Sequence, residues 1–483
     1  MKFSQIINTT TLNQLVETSL DLTRQQVNRM LQDRLCIGIT GLSRSGKSTF
    51  ITSLITQLLN YDKAQLGGFT PAVQGRIMGV KIHPLEESHL PLFPYQQAIS
   101  ELTATPPRWP SSTRDLSGCL LEIKLRNRRS RFKAGSRRLF IELRDYPGEW
   151  LLDLPLMQMN YSEWCAHNAT LFAQQPRLQL LGDLYDKLQQ LNPIDPHNEA
   201  VTQQLTGDYS DFLQRCKEGD NTLSQLQPGR FLINGHATDN ALLQFLPLIN
   251  TPTRTPKQLE KSSRESYYRV YEARYNSYVD RVVRPFYKRY FSDINRQVVL
   301  VDLINAVNGG APYMDDMVQA LTNISDCYAY GENSLLASLF KFHMKIDKVI
   351  YVASKADQVI SKDHEALRHL LGDTVNRALK NAAYEGVHPA LEVIAAVRSS
   401  HEVKHQGEMA ITGRDCQGTN IGYINPQIPH HIPATRAEYE HLAAWKIPRL
   451  SPPAGVNLNA GESLPHIRMD TLLEQLLGDW LNE

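Results

Sequence analysis

The chain has 483 residues, of which 42% are hydrophobic and 21% charged, so it is long enough for two or three globular domains. The formal net charge of +1 gives no general electrostatic reason to expect binding to nucleic acid. The six cysteines form no CxxC pair, and no stretch has the pattern of a signal peptide or a membrane span. We therefore expect a cytoplasmic protein without a disulfide framework or a zinc finger.

The first predicted elements surround a glycine-rich turn. Apolar residues near helical spacing predict an amphipathic helix between Leu12 and Leu31. The run RLCIGIT then predicts a buried strand that ends at Thr40, and STFITSLITQLLN predicts a helix after the turn. Between them, GLSRSGKSTF has the G-x4-G-K-[ST] pattern of a phosphate loop, in which backbone N–H groups and the positive end of the helix dipole bind one anion.

A phosphate loop predicts roles for its own side chains. Lys47 can reach the β and γ phosphates and is also a catalytic candidate, and Ser48 can offer its hydroxyl to magnesium. A Gly-Ser turn with an exposed lysine is the alternative interpretation. The residues predicted to contact the phosphates are Gly41, Ser43, Arg44, Ser45, Gly46, Lys47, Ser48 and Thr49.

The next stretch, from Asp62 to Pro110, is rich in proline and glycine, and we expect it to be irregular. It is followed by RWPSSTRDLSG and then by CLLEIKLR, which predicts a strand.

Two aspartates compete for the second magnesium contact. Asp145 ends the apolar strand of RRLFIELRDYPGEW, and Gly148 completes a D-x-x-G pattern in which the aspartate reaches magnesium through water and the glycine N–H binds the γ phosphate. Asp302 follows the apolar run of RQVVLVD, in the manner of an ATPase. We favour Asp145 because a base-binding motif further along the chain agrees with it.

The chain between these two aspartates has mostly helical patterning. Within it, RESYYRVYEARYNSYVDRVVRPFYKRYF places Tyr267, Tyr271, Tyr275 and Tyr278 on one helix face. These tyrosines predict either a stripe that packs against a neighbouring helix or a basic-aromatic surface for a membrane or RNA. We favour packing.

The base-binding motif is KVIYVASKAD, in which an apolar strand leads directly into Ser354, Lys355 and Asp357. It is similar to the N/T-K-x-D motif, whose aspartate accepts hydrogen bonds from N1 and the exocyclic amino group of guanine. Adenine offers no matching donors, so a buried carboxylate would stay unpaired against it. A further strand, Leu391 to Ala396, leads into a loop where Ala396 and Val397 are predicted to contact the nucleotide through their backbone.

The region from His401 to Pro465 is rich in loops and strands. HEVKH, from His401 to His405, matches the H-E-x-x-H letters of zinc proteases, but its setting indicates a strand and not the helix that such a site requires. At the end of the chain, MDTLLEQLLGDWL predicts an amphipathic helix with Asp470 as its N-cap.

The order of these motifs resembles that of Ras and translation-factor GTPases. More closely, GLSRSGKSTF, WPSSTRDLSG, RDYPGEW and SKADQV together resemble the bacterial YcjX family of stress-linked P-loop proteins, often catalogued as ATPases. The resemblance covers almost the full length and implies a G-domain-like core. Asp357 conflicts with the ATPase label, and we side with the residue.

The GTPase resemblance adds catalytic candidates. A switch threonine that closes over magnesium corresponds best to Thr113, the alternative being a simple Ser-Thr turn. Arg108 and Arg114 flank it, and in the α subunits of heterotrimeric G proteins an arginine near this threonine acts on the transition state; solvated loop charges are the alternative. Glu149 stands where Ras-type proteins have a water-orienting glutamine, so we expect slow hydrolysis.

The sequence therefore predicts an α/β P-loop fold with a mostly parallel sheet. The predicted division is a core of residues 33–150, 294–400 and 465–483, a helical insertion of residues 151–293, and a loop- and strand-rich insertion of residues 401–464. The predicted function is magnesium-dependent binding and slow hydrolysis of GTP to GDP in a conformational switch, with an unknown protein effector, peripheral membrane contact left open and no nucleic acid partner. An ATPase or small-molecule kinase and a non-hydrolysing interaction module are the alternatives.

Overall fold

The computed structural model describes most of the chain. The described ranges are 33–42, 44–85, 90–111, 115–126, 135–219, 221–232, 241–251, 254–291, 293–327, 346–384, 386–424, 427–442, 447–458 and 462–482. The predicted helix from Leu12 to Leu31 and the candidates Ser43, Thr113 and Arg114 lie outside these ranges.

A seven-stranded sheet forms the centre of the molecule, in the order β2-β3-β4-β1-β5-β6-β7. Its strands are β1 (Arg34–Gly41), β2 (Ile77–His83), β3 (Ser117–Arg126), β4 (Ser136–Asp145), β5 (Arg296–Val301), β6 (Lys348–Ala353) and β7 (His388–Val393). Strand β1 pairs in parallel with β4 and β5, and β6 pairs in parallel with β5 and β7, whereas β3 is antiparallel to β2 and β4. The predicted α/β fold with a mostly parallel sheet is confirmed, and the carboxyl ends of the parallel strands meet at one edge, where such sheets bind ligands.

Helices flank this sheet and fill the insertion. In chain order they are α1 (Lys47–Leu59), α2 (Thr70–Val73), α3 (Tyr95–Leu102), α4 (Gly148–Leu151), α5 (Tyr161–Phe172), α6 (Arg177–Leu181), α7 (Asp183–Gln190), α8 (Glu199–Glu218), α9 (Pro256–Glu260), α10 (Tyr267–Tyr278), α11 (Arg284–Phe286), α12 (Leu303–Gly309), α13 (Ala311–Cys327), α14 (His364–Thr374), α15 (Asn376–Tyr384), α16 (Arg436–Leu442), α17 (Met469–Leu473) and α18 (Asp479–Asn482). Within the described part of the chain, no helix combines the length and the apolarity that a bilayer crossing requires.

The two faces of the sheet have separate hydrophobic cores, because successive residues of a strand point to opposite faces. Val298 and Leu300 of β5 join a cluster with α1 and the C-terminal helices. Val299 and Val301 join a larger cluster that continues into the helical insertion. The insertion is therefore packed against one face of the sheet.

The prediction of an irregular stretch from Asp62 to Pro110 is wrong. This stretch contains α2, the edge strand β2 and α3. Strand β2 has a register shift between Ile77 and Gly79, and Met78 and Ile82 are exposed, so its sequence lacks a clean alternation of buried and exposed positions. It is stabilised mainly by pairing with β3, which the local sequence does not reveal.

The tyrosine stripe of α10 packs in the interior, as favoured. Tyr267, Tyr271, Tyr275 and Tyr278 are all buried. The Tyr278 hydroxyl donates to Oδ2 of Asp153 at 2.6 Å, and the Tyr275 hydroxyl donates to the carbonyl of Met159 at 2.9 Å. These tyrosines therefore do not form a membrane or RNA surface.

The late region forms a small antiparallel sheet in the order β10-β9-β8, from β8 (Ser400–His405), β9 (Glu408–Arg414) and β10 (Asn420–Tyr423). HEVKH lies in β8, so it is a strand as predicted and not a zinc-protease helix. In the described ranges, no three His, Cys, Asp or Glu side chains are grouped so that they could hold a metal ion.

The C-terminal helix closes the core as predicted, but its start differs. The helix begins at Met469, and Arg468, with φ 57°, occupies the N-cap position. Asp470 lies inside the first turn, where its carboxylate accepts the backbone N–H of Gly68 at 2.7 Å. The predicted N-cap role of Asp470 is therefore wrong, because the carboxylate binds a different segment of the chain.

Candidate nucleotide-binding site

A cavity of about 620 Å³ lies at the carboxyl ends of β1, β5 and β6. Its wall contains the described part of the phosphate loop with the start of α1, the segment 147–150 after β4, and the segments that follow β6 and β7. The structure therefore brings the separate sequence motifs to one site. The division into domains stays a prediction.

The phosphate loop has a backbone that suits an anion. Gly46, with φ +83°, is the N-cap residue of α1 and supplies no side-chain cap, so the N–H groups of the first turn point into the cavity from a helix of 13 residues. A Cβ at Gly41 would lie 2.1 Å from the Ser45 hydroxyl, so only glycine fits there. Arg44 also has a positive φ of 62°.

The two phosphate-end motifs are in direct contact. Lys47 Nζ lies 2.6 Å from Oδ1 of Asp145, and both side chains are largely buried. The Ser117 hydroxyl donates to the other carboxylate oxygen, Oδ2, at 3.4 Å. A Cβ at Gly148 would lie 1.9 Å from the carbonyl oxygen of Gly41, so the D-x-x-G glycine is required for this close approach.

Glu149, next to that glycine, has a partner that sequence reasoning missed. Its Oε1 lies 2.8 Å from Nζ of Lys217, which belongs to the last turn of α8 in the helical insertion. Both residues line the cavity. No local pattern around Lys217 indicates this role, because the contact depends on how the insertion packs.

The base end of the cavity is built around Asp357, which is 5% exposed. Burial raises the pKa of its carboxyl group, while Ser399 lowers it by donating from both its backbone N–H, at 2.8 Å, and its hydroxyl, at 2.6 Å, to Oδ2. Sequence reasoning missed Ser399.

The neighbouring motif residues have mainly structural contacts. Ser354 donates its backbone N–H, at 3.0 Å, and its hydroxyl, at 3.3 Å, to the carbonyl of Val301 on β5. Ala396 and Val397 line the cavity as expected, although β7 ends at Val393, earlier than predicted. The chain leaves the strand early because Ala395 pairs with Ile467 instead.

Asp302 has both carboxylate oxygens engaged. Its Oδ1 caps α12 by accepting the backbone N–H of Asn305 at 3.1 Å, and its Oδ2 pairs with Lys355. This arrangement ties the end of β5 to the loop after β6. Asp302 therefore serves as a cap and a brace between two elements of the core.

Arg108 is not brought to the cavity. It is exposed, and its positive charge is a minor contributor to the lowered pKa of the Glu101 carboxyl group on α3. Its neighbours Trp109 and Pro110 do line the cavity, and the Trp109 indole N–H donates to the carbonyl of Leu450 at 2.7 Å.

The chain is similar to known proteins over almost its full length. The profile of the YcjX-like family, DUF463, matches residues 35–481. The chain is 31% identical to the Ras-like GTPase YcjX of Shewanella oneidensis, over 97% of this chain and 98% of that one. It is 32% identical to the Ras-like GTPase YcjX of Escherichia coli K12, over 94% of this chain and 97% of that one. The chain therefore belongs to the YcjX-like family.

Proposed function

We propose that the protein is a magnesium-dependent GTP-binding protein that hydrolyses GTP slowly and changes conformation as it does so. The observation that carries this proposal is that one cavity joins a helix N-terminus and Lys47 at one end to a buried carboxylate, Asp357, at the other. The name of both relatives, Ras-like GTPase, agrees with it.

The base end favours guanine. Ser399 donates two hydrogen bonds to Oδ2 of Asp357 and so orients the carboxylate, which would accept from N1 and the exocyclic amino group of the base. The buried carboxylate is stabilised when a guanine ring supplies these donors, whereas adenine would leave it unpaired, at a cost of about 1–3 kcal/mol. The stem of Lys355 would cover the face of the base.

The phosphate end fits magnesium. Ser48, at the start of α1, offers a hydroxyl, and Asp145, at the end of β4, offers a carboxylate. Magnesium prefers oxygen ligands, and in nucleotide sites most of its coordination positions are filled by water and phosphate oxygens. A small number of protein oxygens is therefore sufficient. The ion would neutralise charge on the phosphates, and Thr113 is proposed as the third protein ligand.

The Lys47–Asp145 pair provides the proposed switch. A bound γ phosphate competes with Asp145 for Lys47, and Gly148 then donates its backbone N–H to the same phosphate. Because Gly148 packs against Gly41 without space for a Cβ, movement of either residue displaces the other. Glu149 would orient the attacking water, and Arg114, next to Thr113 in the sequence, stays the candidate cation, since Arg108 is exposed and does not line the cavity.

Calorimetry with GDP and ADP, each with and without magnesium, tests this proposal. We expect a preference for GDP well above tenfold, and a single-turnover assay should show slow cleavage of GTP. Equal affinities for the two nucleotides would contradict the assignment of Asp357. Tight GTP binding without cleavage would indicate a non-hydrolysing interaction module instead.

A further inference from the structure

The contact between Lys217 and Glu149 joins the helical insertion to the residue next to the D-x-x-G glycine. The two charged atoms are 2.8 Å apart, and the Glu149 side chain is 9% exposed. A carboxylate at this position would face a γ phosphate with like charge, which weakens both the binding of a triphosphate and any stabilisation of charge during its cleavage.

The end of α8 that carries Lys217 is in contact with the phosphate loop. Arg44 donates to the carbonyl oxygens of Glu218 at 2.8 Å and Gly219 at 2.7 Å, directly after Lys217 at the end of α8. Arg449 adds a contact to the carbonyl of Gly219 at 3.4 Å. Cations at the carboxyl end of a helix are favoured by the helix dipole, so this end of α8 is bound firmly to the phosphate loop.

The insertion also fixes the backbone of Glu149. A Cβ at Gly229 would lie 2.3 Å from the carbonyl oxygen of Glu149, so the two backbones are in close contact. Two segments of the insertion, the end of α8 and the stretch around Gly229, therefore contact Glu149, the residue that follows the D-x-x-G glycine.

We propose that Lys217 is a positioning residue that supplies, from within the same chain, the positive charge that Glu149 needs beside a γ phosphate. The Lys217–Glu149 pair has no net charge, so it can lie next to the triphosphate without the repulsion that Glu149 alone would exert. Lys217 also fixes the direction of the carboxylate that would hold the water. This inference rests on the proposed GTP-binding function.

The test measures affinity for a slowly hydrolysed GTP analogue, GTPγS, and for GDP, by calorimetry on the full chain. Lys217→Met keeps the length of the side chain without its charge. We expect it to weaken GTPγS binding about tenfold and GDP binding less than about twofold, because only GTPγS has a third phosphate. Lys217→Arg should preserve both affinities.

A double variant separates repulsion from loss of packing. In Lys217→Met with Glu149→Gln, the carboxylate charge is removed together with the lysine charge, so the ratio of GTPγS to GDP affinity should return to within about twofold of the parent ratio. The single-turnover rate should fall about 100-fold in Lys217→Met and recover in Lys217→Arg. Lys187→Ala is the matched control, because Lys187 pairs with Asp208 at the same distance of 2.8 Å within the insertion.

The outcomes are distinct. If Lys217→Met leaves the affinity ratio unchanged, or lowers both affinities equally, Lys217 only fastens the insertion and the inference is wrong. If Lys217→Met does not fold, the double variant Lys217→Glu with Glu149→Lys, which exchanges the two charges, replaces it. The supporting result is then that this double variant keeps the parent ratio of GTPγS to GDP affinity, whereas Lys217→Glu alone lowers that ratio. Failure of the parent protein to bind guanine nucleotides would instead refute the proposed function.

Discussion

The two ends of the cavity contain the same type of ion pair, a lysine with an aspartate, in different surroundings. At the phosphate end, Lys47 of α1 pairs with Asp145 at the end of β4, and their side chains are 11% and 2% exposed. At the base end, Lys355 pairs with Asp302 at the end of β5, and their side chains are 34% and 5% exposed. In both cases a lysine of a nucleotide-binding motif contacts an aspartate that directly follows or ends a strand.

The difference lies in what else each aspartate binds. Asp302 caps α12 as well as pairing with Lys355, so it holds two elements of the core together. Asp145 instead accepts the Ser117 hydroxyl at 3.4 Å, and the glycine of its D-x-x-G motif packs on the phosphate loop. The same pair thus acts as a fixed brace at one end and, in our proposal, as a contact that exchanges with phosphate at the other.

Removing the two lysines in turn should produce the largest difference in GTP affinity between the two ends. Lys47→Ala should lower GTP affinity about 100-fold or more, because charge-assisted hydrogen bonds to phosphate are lost. Lys355→Ala, the matched variant, should lower it by about tenfold or less, since it removes the cover on the base and the pair with Asp302 but no phosphate contact. Calorimetry with GTP and magnesium measures both, and a larger loss in Lys355→Ala would reverse the comparison.

Removing the charge of each aspartate tests the metal assignment. Asp145→Asn should weaken magnesium binding in the GTP complex by about tenfold, the lower range for loss of a group that orients a metal's ligands. Asp302→Asn should leave magnesium dependence unchanged, and because asparagine is also a good N-cap, only the ion pair is lost. A magnesium titration of GTP binding distinguishes them. Greater damage from Asp302→Asn would support the ATPase-type interpretation.

The base end should also respond to pH. The pKa of Asp357 is raised above its ordinary value of 3.8 by burial, so the folded protein without nucleotide loses stability as the pH rises from 3.8 to the raised pKa. Guanine requires the ionised carboxylate, so GDP affinity should fall as the pH is lowered through the same window. Denaturant titrations and calorimetry measure the two effects. GDP affinity that stays constant down to pH 3.8 would show that Asp357 does not contact the base.

The parts of the fold that sequence reasoning predicted are those with strong local patterns. The buried strands β1, β5 and β6 contain continuous apolar runs, and the glycines of the phosphate loop are required by its backbone geometry. Strand β2 was missed because an edge strand has weak alternation. Ser399 and Lys217 were missed because each reaches the site through tertiary packing. The roles of Asp145 and Asp302 differ through their neighbours along the chain, Gly148 in one case and the start of α12 in the other.

The most direct test of the central claim is the nucleotide preference of Asp357→Asn. Xanthine carries a carbonyl where guanine has its exocyclic amino group, so an asparagine amide can donate where the aspartate accepted. We predict that Asp357→Asn loses about 100-fold or more in GTP affinity and gains a comparable factor for xanthosine triphosphate, while magnesium dependence stays the same. If Asp357→Asn still prefers GTP, or binds neither nucleotide while remaining folded by circular dichroism, Asp357 does not read the base and the proposed GTP site is wrong.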